Sequence, residues 1–406
     1  MSTPLTVNLS LFIFQNYEKI SSSNGFKSLT NYLLENDEVK NLYTPYEVLR
    51  SIPLTFIKKN IIHDVTFITD FNEARFDNIY QNFEKYLYTK TVPYRSFVIC
   101  PHFQIETEKL TLNDTLRIRI LSESEFEEFF NIFQFNFFHS PNDFIHPKSV
   151  ILEKVFEVKK NPKVVMNSPT REQTEQTKNI FIKLVTALRL FKKGRVGFNT
   201  IFRQNLSDWE GGGLGSGSSP AFPHSIGGSF QLLESENENF IKFGHFFKAL
   251  NFKELDKNFR IATNRFNSAY ERKDPEDRLI DYVIALTSLF SRKDESGLGR
   301  YRLSMRVALL LEHNSEKRKN VRKEIVEIYD KRSAIVHGSD VKKFQNFENL
   351  GDLVDKAEDY VRRSLQVLLR LDSRVGGRRK VIENIENGLF SATIDFDINF
   401  GDDSNP

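Results

Sequence analysis

The chain has a single cysteine, Cys100, in 406 residues. That excludes an intrachain disulfide and any zinc site made from several cysteines, and a lone thiol suits a reducing compartment. No apolar run approaches the roughly 20 residues a membrane-spanning helix needs. The first residues carry a short apolar patch at 9–14, with no basic segment before it and no small-residue cleavage site after it, so no secretory signal is expected. A cytoplasmic location is the expectation, with no membrane partner. His, Asp and Glu do not recur at metal-ligand spacing, and His63, His102, His139, His146, His224, His245 and His313 are scattered, so neither metal nor other cofactor is expected. A strong charge bias is also missing: 57 Lys and Arg stand against 54 Asp and Glu, for a net charge of +3. That balance argues neither for nor against nucleic acid.

Phenylalanine is abundant, at 38 residues, and fills positions where leucine usually sits, as core material. A hydrophobic content of 39% with 27% charged residues is that of a soluble globular protein. The length implies two or three domains. Charge is unevenly spread: residues 231–380 sum to about +7 and 381–406 to about −6. The basic run Arg374, Arg378, Arg379 and Lys380 precedes Asp395, Asp397, Asp402 and Asp403. Such an acidic tail either keeps the end of the chain soluble or mimics phosphate against the basic region.

The clearest break lies at 207–229, where Gly211, Gly212, Gly213, Gly215, Ser216, Gly217, Ser218 and Ser219 have the composition of a flexible linker. Residues 1–206 mix signals. Phe97 to Cys100 forms a short apolar run halted by Pro101, residues 115–121 alternate with period two, and 150–158 is a further strand. Ser122 and Glu125 make a capping box opening a helix. A second helix is expected from about Pro169, placed in its first turn, to Lys193, with Gly194 as its stop. After the linker only helices are expected, near 235–249, 252–271, 275–291, 300–312, 315–337 and 352–371, each with apolar residues three and four apart. Asp274 and Pro275 mark the third of these as N-cap and first position. The expected fold is α+β: a mixed α/β region at 1–206, a linker at 207–229, an all-α helical domain at 230–380 and an acidic tail at 381–406.

The helix starting near Ser315 has a buried stripe of Val321, Ile325, Ile328, Arg332 and Ile335. Its fourth member is an arginine. A guanidinium on an apolar face is costly without an anion or hydrogen-bonding partner. Either it meets an acid, such as Asp277 or Asp281, or it is kept for a ligand. His337 follows five residues later, about 140° around the helix and about 7.5 Å along it. Ser333 lies one turn before His337, within reach of its ring, and Gly338 ends the helix.

The string Arg332, Ser333, Ala334, Ile335, Val336, His337, Gly338 resembles the Arg-x4-His signature of HEPN domains, and most closely that of Apea-like HEPN proteins. Arg265-Phe266, Glu271-Arg272 and 275–281 resemble that family's approach to its first core helix. Thr287 stands where the family usually has an acid. Fainter echoes are Leu116 to Arg119 and Ala187 to Leu190 before Lys193-Gly194. The resemblance covers 230–380 well and 95–205 weakly. It implies a metal-independent endoribonuclease, in which Arg332 grips the scissile phosphate, His337 moves protons and Ser333 orients His337. RNA is the implied substrate. An imidazole titrates near neutrality, and an arginine is a fixed cation, so both suit these tasks.

One regular helix does not easily aim residues 140° apart at one phosphate, so a two-fold homodimer with a composite site is expected, as HEPN relatives commonly form. Lys317, Arg318 and Arg322 make a basic face at the start of the motif helix, suited to RNA phosphates or to pairing with nearby glutamates. The family often supplies toxic effectors of bacterial anti-phage defence and abortive infection; residues 1–206 would then sense a phage-derived or cellular trigger. The alternative is a non-catalytic module in which the same pair binds RNA or a nucleotide.

Overall fold

The computed structural model describes residues 21–61, 73–136, 145–161, 168–209, 214–222, 229–249, 256–292, 299–338, 350–375 and 377–388. The fold is mixed α+β, with the sheet in the N-terminal half and helices in the C-terminal region. One sheet has six strands in the order β3-β4-β5-β1-β6-β7. Its members are β1 (Thr91–Cys100), β3 (Lys109–Asn113), β4 (Leu116–Ile120), β5 (Val150–Lys159), β6 (Phe198–Asn205) and β7 (Leu214–Phe222). Two short strands, β2 (Phe103–Ile105) and β8 (Phe230–Leu232), pair in parallel apart from it. The chain divides into two compact units, one of Met1–Phe97, Glu153–Thr177 and Ile201–Gly217, the other of Val98–Leu152, Lys178–Thr200 and Ser218–Pro406.

The first unit holds helices α1 (Asn24–Glu35), α2 (Asp37–Leu42), α3 (Ile52–Ile61) and α4 (Glu73–Tyr88). Ser23 and Asn36 cap the first two by accepting from Phe26 N and Val39 N, which satisfies donors that a helix start leaves free. Phenylalanine serves as core here. Trp209 packs its ring 4.8 Å from Phe56 and 4.4 Å from Phe83, and its indole N–H donates to Tyr43 at 3.1 Å. A buried polar group crosses three adjacent strands: Arg95 on β1 donates to Glu153 on β5 at 3.2 Å and to Gln204 on β6 at 2.7 Å. Buried charge of this kind is satisfied in one register only, so a slipped strand would leave it unpaired.

In the second unit, the strand expected at 115–121 is present as β4, and it pairs antiparallel with β3, with Leu110 opposite Ile118. The capping box is present as expected: Ser122 N donates to Glu125 at 3.0 Å and Glu125 N to Ser122 Oγ at 3.3 Å, opening α5 (Glu123–Asn136). Then come α6 (Arg171–Phe191), α7 (Asn237–Ala249), α8 (Lys257–Glu271), α9 (Pro275–Phe290), α10 (Gly299–Leu311), α11 (Ser315–His337), α12 (Leu350–Val375) and α13 (Arg378–Asn387). Helix α8 packs along α9, α9 along α12 and α10 along α11. Their apolar stripes, with Leu190 from the end of α6, form one core that includes Phe266, Leu286, Val307, Ile325 and Leu365.

Five local expectations change, the first being that the region from 230 is not helices alone, since it opens on β8, which is held by pairing with β2. Residues 207–229 are not wholly linker, since they contain β7 at the end of the sheet order; an edge strand is held by backbone pairing and tolerates Pro220, which composition does not register. Helix α6 starts at Arg171, and Thr170 with Gln173 makes its capping box, leaving Pro169 outside the helix. Asp274 occupies the N-cap of α9 but its side chain accepts no capping bond. Residues 381–387 of the expected tail are helical in α13, with Val381, Ile382 and Ile385 buried; the aspartates at 395–403 lie outside the described residues. The helix ends at Phe191, before Gly194; glycine is needed at 194 because a Cβ there would stand 2.8 Å from the Phe230 Cα, at a φ of +156°.

Arg189 on α6 is 0% exposed. It donates to Val196 O at 3.0 Å and to the Asn267 side chain at 3.1 Å, with the Tyr270 ring 4.5 Å away. Burial lowers its pKa to about 10, so the group stays charged at neutral pH. Replacement by methionine would leave these acceptors unmet, and Arg189→Met is expected to lose about 3 kcal/mol. Urea unfolding of the variant checks this; a change under about 0.5 kcal/mol, the size of a bland surface substitution, would mean the guanidinium does not tie α6 to α8.

Candidate functional site

Helix α11 carries the Arg-x4-His pair. It begins where Asn314 accepts from Glu316 N at 2.9 Å and Lys317 N at 3.1 Å, and ends at Gly338, whose φ of +61° is the left-handed stop that glycine adopts freely. Val321, Ile325 and Ile328 are buried, as the stripe requires, and Ile335 packs against the same core while partly exposed. Two neighbours hold the helix. Arg300 on α10 grips Asp330 through two bonds of 2.8 and 2.9 Å. On α12, Lys356 donates to Glu324 at 2.8 Å, and the Tyr360 hydroxyl donates to the other oxygen of that carboxylate.

Arg332 is half-buried, and its Nε has no solvent contact and no hydrogen-bond partner. Asp281, a candidate counter-ion, is instead taken by Arg265 at 2.8 Å and Arg272 at 3.1 Å. Arg332 makes no ion pair with any described residue. His337, the last residue of the helix, is exposed. Ser333 is half-buried and makes no hydrogen bond to His337, and Asp330 is turned to Arg300. The expected second-residue support for the imidazole is therefore missing among the described residues. A Ser four residues before a helix-terminal His is in reach by spacing alone, but no bond forms.

The basic face at the other end of α11 is not part of this site. Arg318 donates to Glu312 O at 2.6 Å, Arg322 lies 5.4 Å from the Tyr301 ring centre, and Lys317 is exposed. At 1.5 Å per residue, Arg318 and Arg332 are about 21 Å apart along the helix. Sequence reasoning missed a different group. A cleft beside α11 is lined by Thr287, Ser291, Arg292, Arg302, Arg306 and Tyr329 among others. The available signal was Arg302 and Arg306, four residues apart on a helix whose neighbours Leu303 and Val307 are core. Two arginines recurring at helical spacing beside an apolar stripe mark an inward-facing charged row.

Among the described residues no group of His, Cys, Asp and Glu is placed to hold a metal ion, and no helix is long and apolar enough to cross a membrane. Cys100 is buried, and burial pushes its thiol pKa up, which disfavours a reactive thiolate. Comparison with protein-family models, curated proteins and solved structures gives no match for this chain.

The Glu324 carboxyl titrates below its ordinary range: burial opposes ionisation, but the bonds from Lys356 and Tyr360 outweigh it. A carboxylate depressed in the folded state stabilises fully above its unfolded pKa, and loses that contribution as pH falls through the folded value. Glu324→Gln is expected to cost about 1 kcal/mol at pH 7. The gap from the parent protein should close as pH drops below the usual carboxylate range near 4. Thermal unfolding of both proteins across pH checks this, and a pH-independent gap would remove the carboxylate as the cause.

Proposed function

We propose that the chain is a metal-independent endoribonuclease of the HEPN type. The observation that carries the reading is Arg332: a guanidinium with a buried, unpartnered Nε and no described counter-ion, one and a half turns before an exposed His337 on a helix stopped by Gly338. Holding an unpaired cation against a core is costly, and an incoming phosphate would offset that cost. In the proposed reaction His337 takes the proton of a ribose 2′-hydroxyl, whose oxygen attacks the adjacent phosphorus. The bond to the 5′-oxygen breaks, and that oxygen is protonated as it leaves. Arg332 steadies charge on the non-bridging oxygens. The products are a 2′,3′-cyclic phosphate and a 5′-hydroxyl.

The site is proposed to be composite, with Arg332 and His337 of two copies facing across a two-fold axis. Exposed apolar side chains at Val336, 46% accessible, and Tyr301, 51% accessible, support a contact surface at these helices. In this reading the protein is a regulated cytoplasmic effector, of the kind that serves bacterial anti-phage defence, and residues 1–206 answer to its trigger. A second reading, a non-catalytic module binding RNA or a nucleotide, is favoured by one feature: His337 has no described partner to orient its ring.

Incubation with total RNA and tRNA in EDTA, with end mapping, tests the proposal. Arg332→Ala and His337→Ala are each expected to lower cleavage at least about 100-fold, with no loss of unfolding free energy beyond about 0.5 kcal/mol, because neither residue has a described partner to lose. Cleavage that survives both substitutions would sink the assignment. RNA binding without cleavage, lost in Arg332→Ala, would favour the second reading.

A further inference from the structure

Most of the charge in the cleft beside α11 is already matched. Arg306, 2% exposed, donates to Phe290 O and to Glu386, the latter at 3.1 Å from Nε. Arg292 pairs with Glu386 at 3.3 Å and reaches Glu383 at 4.0 Å. Arg378 donates to Leu289 O near the end of α9 and to Ser291 O just after it, at 2.9 Å each. Arg302 has none of these tasks. Its Nη1 is buried without a hydrogen-bond partner, and it makes no ion pair with a described residue. Glu383 is also held by Arg379 at 3.0 Å, so both carboxylates are fully engaged and no acid is left for Arg302.

Thr287, Ser291 and Tyr329 line the same cleft as Arg302, and their side-chain oxygens bond no described residue. A spare guanidinium fork beside several hydroxyl donors suits a tetrahedral oxyanion with more than two acceptor oxygens, rather than a carboxylate. Position identifies the source. Tyr329 precedes Arg332 by three residues on α11, so the two share a face and lie about 4.5 Å apart along the axis.

We propose that this cleft, through Arg302 with the hydroxyl of Tyr329, is a subsite for an RNA backbone phosphate next to the one held at Arg332. The ligand assignment rests on the ribonuclease reading; the anion site rests on the cleft. Arg302 is thus a substrate-binding residue, and removing it weakens RNA capture.

The test uses the full chain and a labelled 2′-O-methyl RNA oligonucleotide, which cannot be cut by attack of a 2′-hydroxyl. Binding is followed over a salt series, beside thermal unfolding and cleavage of an unmodified strand. Arg302→Gln is expected to raise Kd at least about tenfold, the equivalent of one charge-assisted hydrogen bond, and to reduce the log–log salt slope by roughly 0.7, one phosphate contact. Tyr329→Phe should weaken binding a few-fold. If Arg302→Gln fails to fold, Arg302→Lys, which keeps the charge but not the fork, should give an intermediate loss. Unchanged affinity and slope in a folded Arg302 variant would overturn the subsite. So would stabilisation of the parent by inorganic phosphate through Arg302 with no effect of the variant on the oligonucleotide, since the ligand is then a free phosphate. A parent protein that does not cut, but whose oligonucleotide affinity depends on Arg302, leaves the subsite standing and removes the nuclease reading. Cleavage lost in the Arg332 and His337 variants, with Arg302→Gln binding like the parent, does the reverse.

Discussion

A guanidinium sealed from solvent organises the second unit. Arg189 reaches Val196 O beyond its own helix and Asn267 on α8, and Asn267 in turn donates to Thr186 at 2.9 Å. Three residues on, the Tyr270 hydroxyl donates to Glu358 of α12 at 2.6 Å, and Glu358 is itself only 2% exposed. From α12 the chain of polar contacts continues through Lys356 and Tyr360 to Glu324 on α11. Apolar packing among these helices would allow small sliding motions, because burial is not directional. The polar chain is directional, and each buried member left unmatched costs on the order of 1–3 kcal/mol. It therefore fixes the position of α11 along its neighbours.

That matters because the candidate site lies at the end of α11, where a rigid helix stops. Asp330 is pinned by Arg300, Gly338 turns the chain, and between them Arg332 keeps an unmatched donor against the core. Arg302 repeats the pattern on α10. Buried Arg189, Arg306 and Arg378 each find described partners, whereas Arg302 and Arg332, like Arg278 on α9, each keep a buried nitrogen without one. Such exceptions to full hydrogen bonding are where function is sought.

The site was only partly legible in the sequence. Arg332 stood out because a charge interrupted an apolar stripe, which helical periodicity records; His337 was singled out by the resemblance of the Arg332 to Gly338 string to the HEPN signature. The role given to Ser333 went further than spacing allows, since reach along a helix does not decide which rotamer forms a bond. The choice between an acid partner and a free guanidinium was closed to sequence reasoning as well. Asp281 was a sound candidate, and only the approach of Arg265 and Arg272 shows it already engaged. The cleft escaped notice because its lining comes from α9, α10, α11 and the residues after α9, 42 positions apart from Thr287 to Tyr329.

What the chain encoded locally was its helices and caps. The six C-terminal helices and the box at Ser122 and Glu125 depend on contacts within a few residues, which a linear pattern records. Tertiary structure alone decided the rest. It recruited a Gly- and Ser-rich stretch as edge strand β7, because backbone pairing needs a neighbouring strand and no particular side chain. It drew part of an acidic segment into α13, where Val381 and Ile385 found a core to enter. It also settled which arginines are matched, because a counter-ion is a property of space, and residues far apart in the chain compete for the same carboxylate.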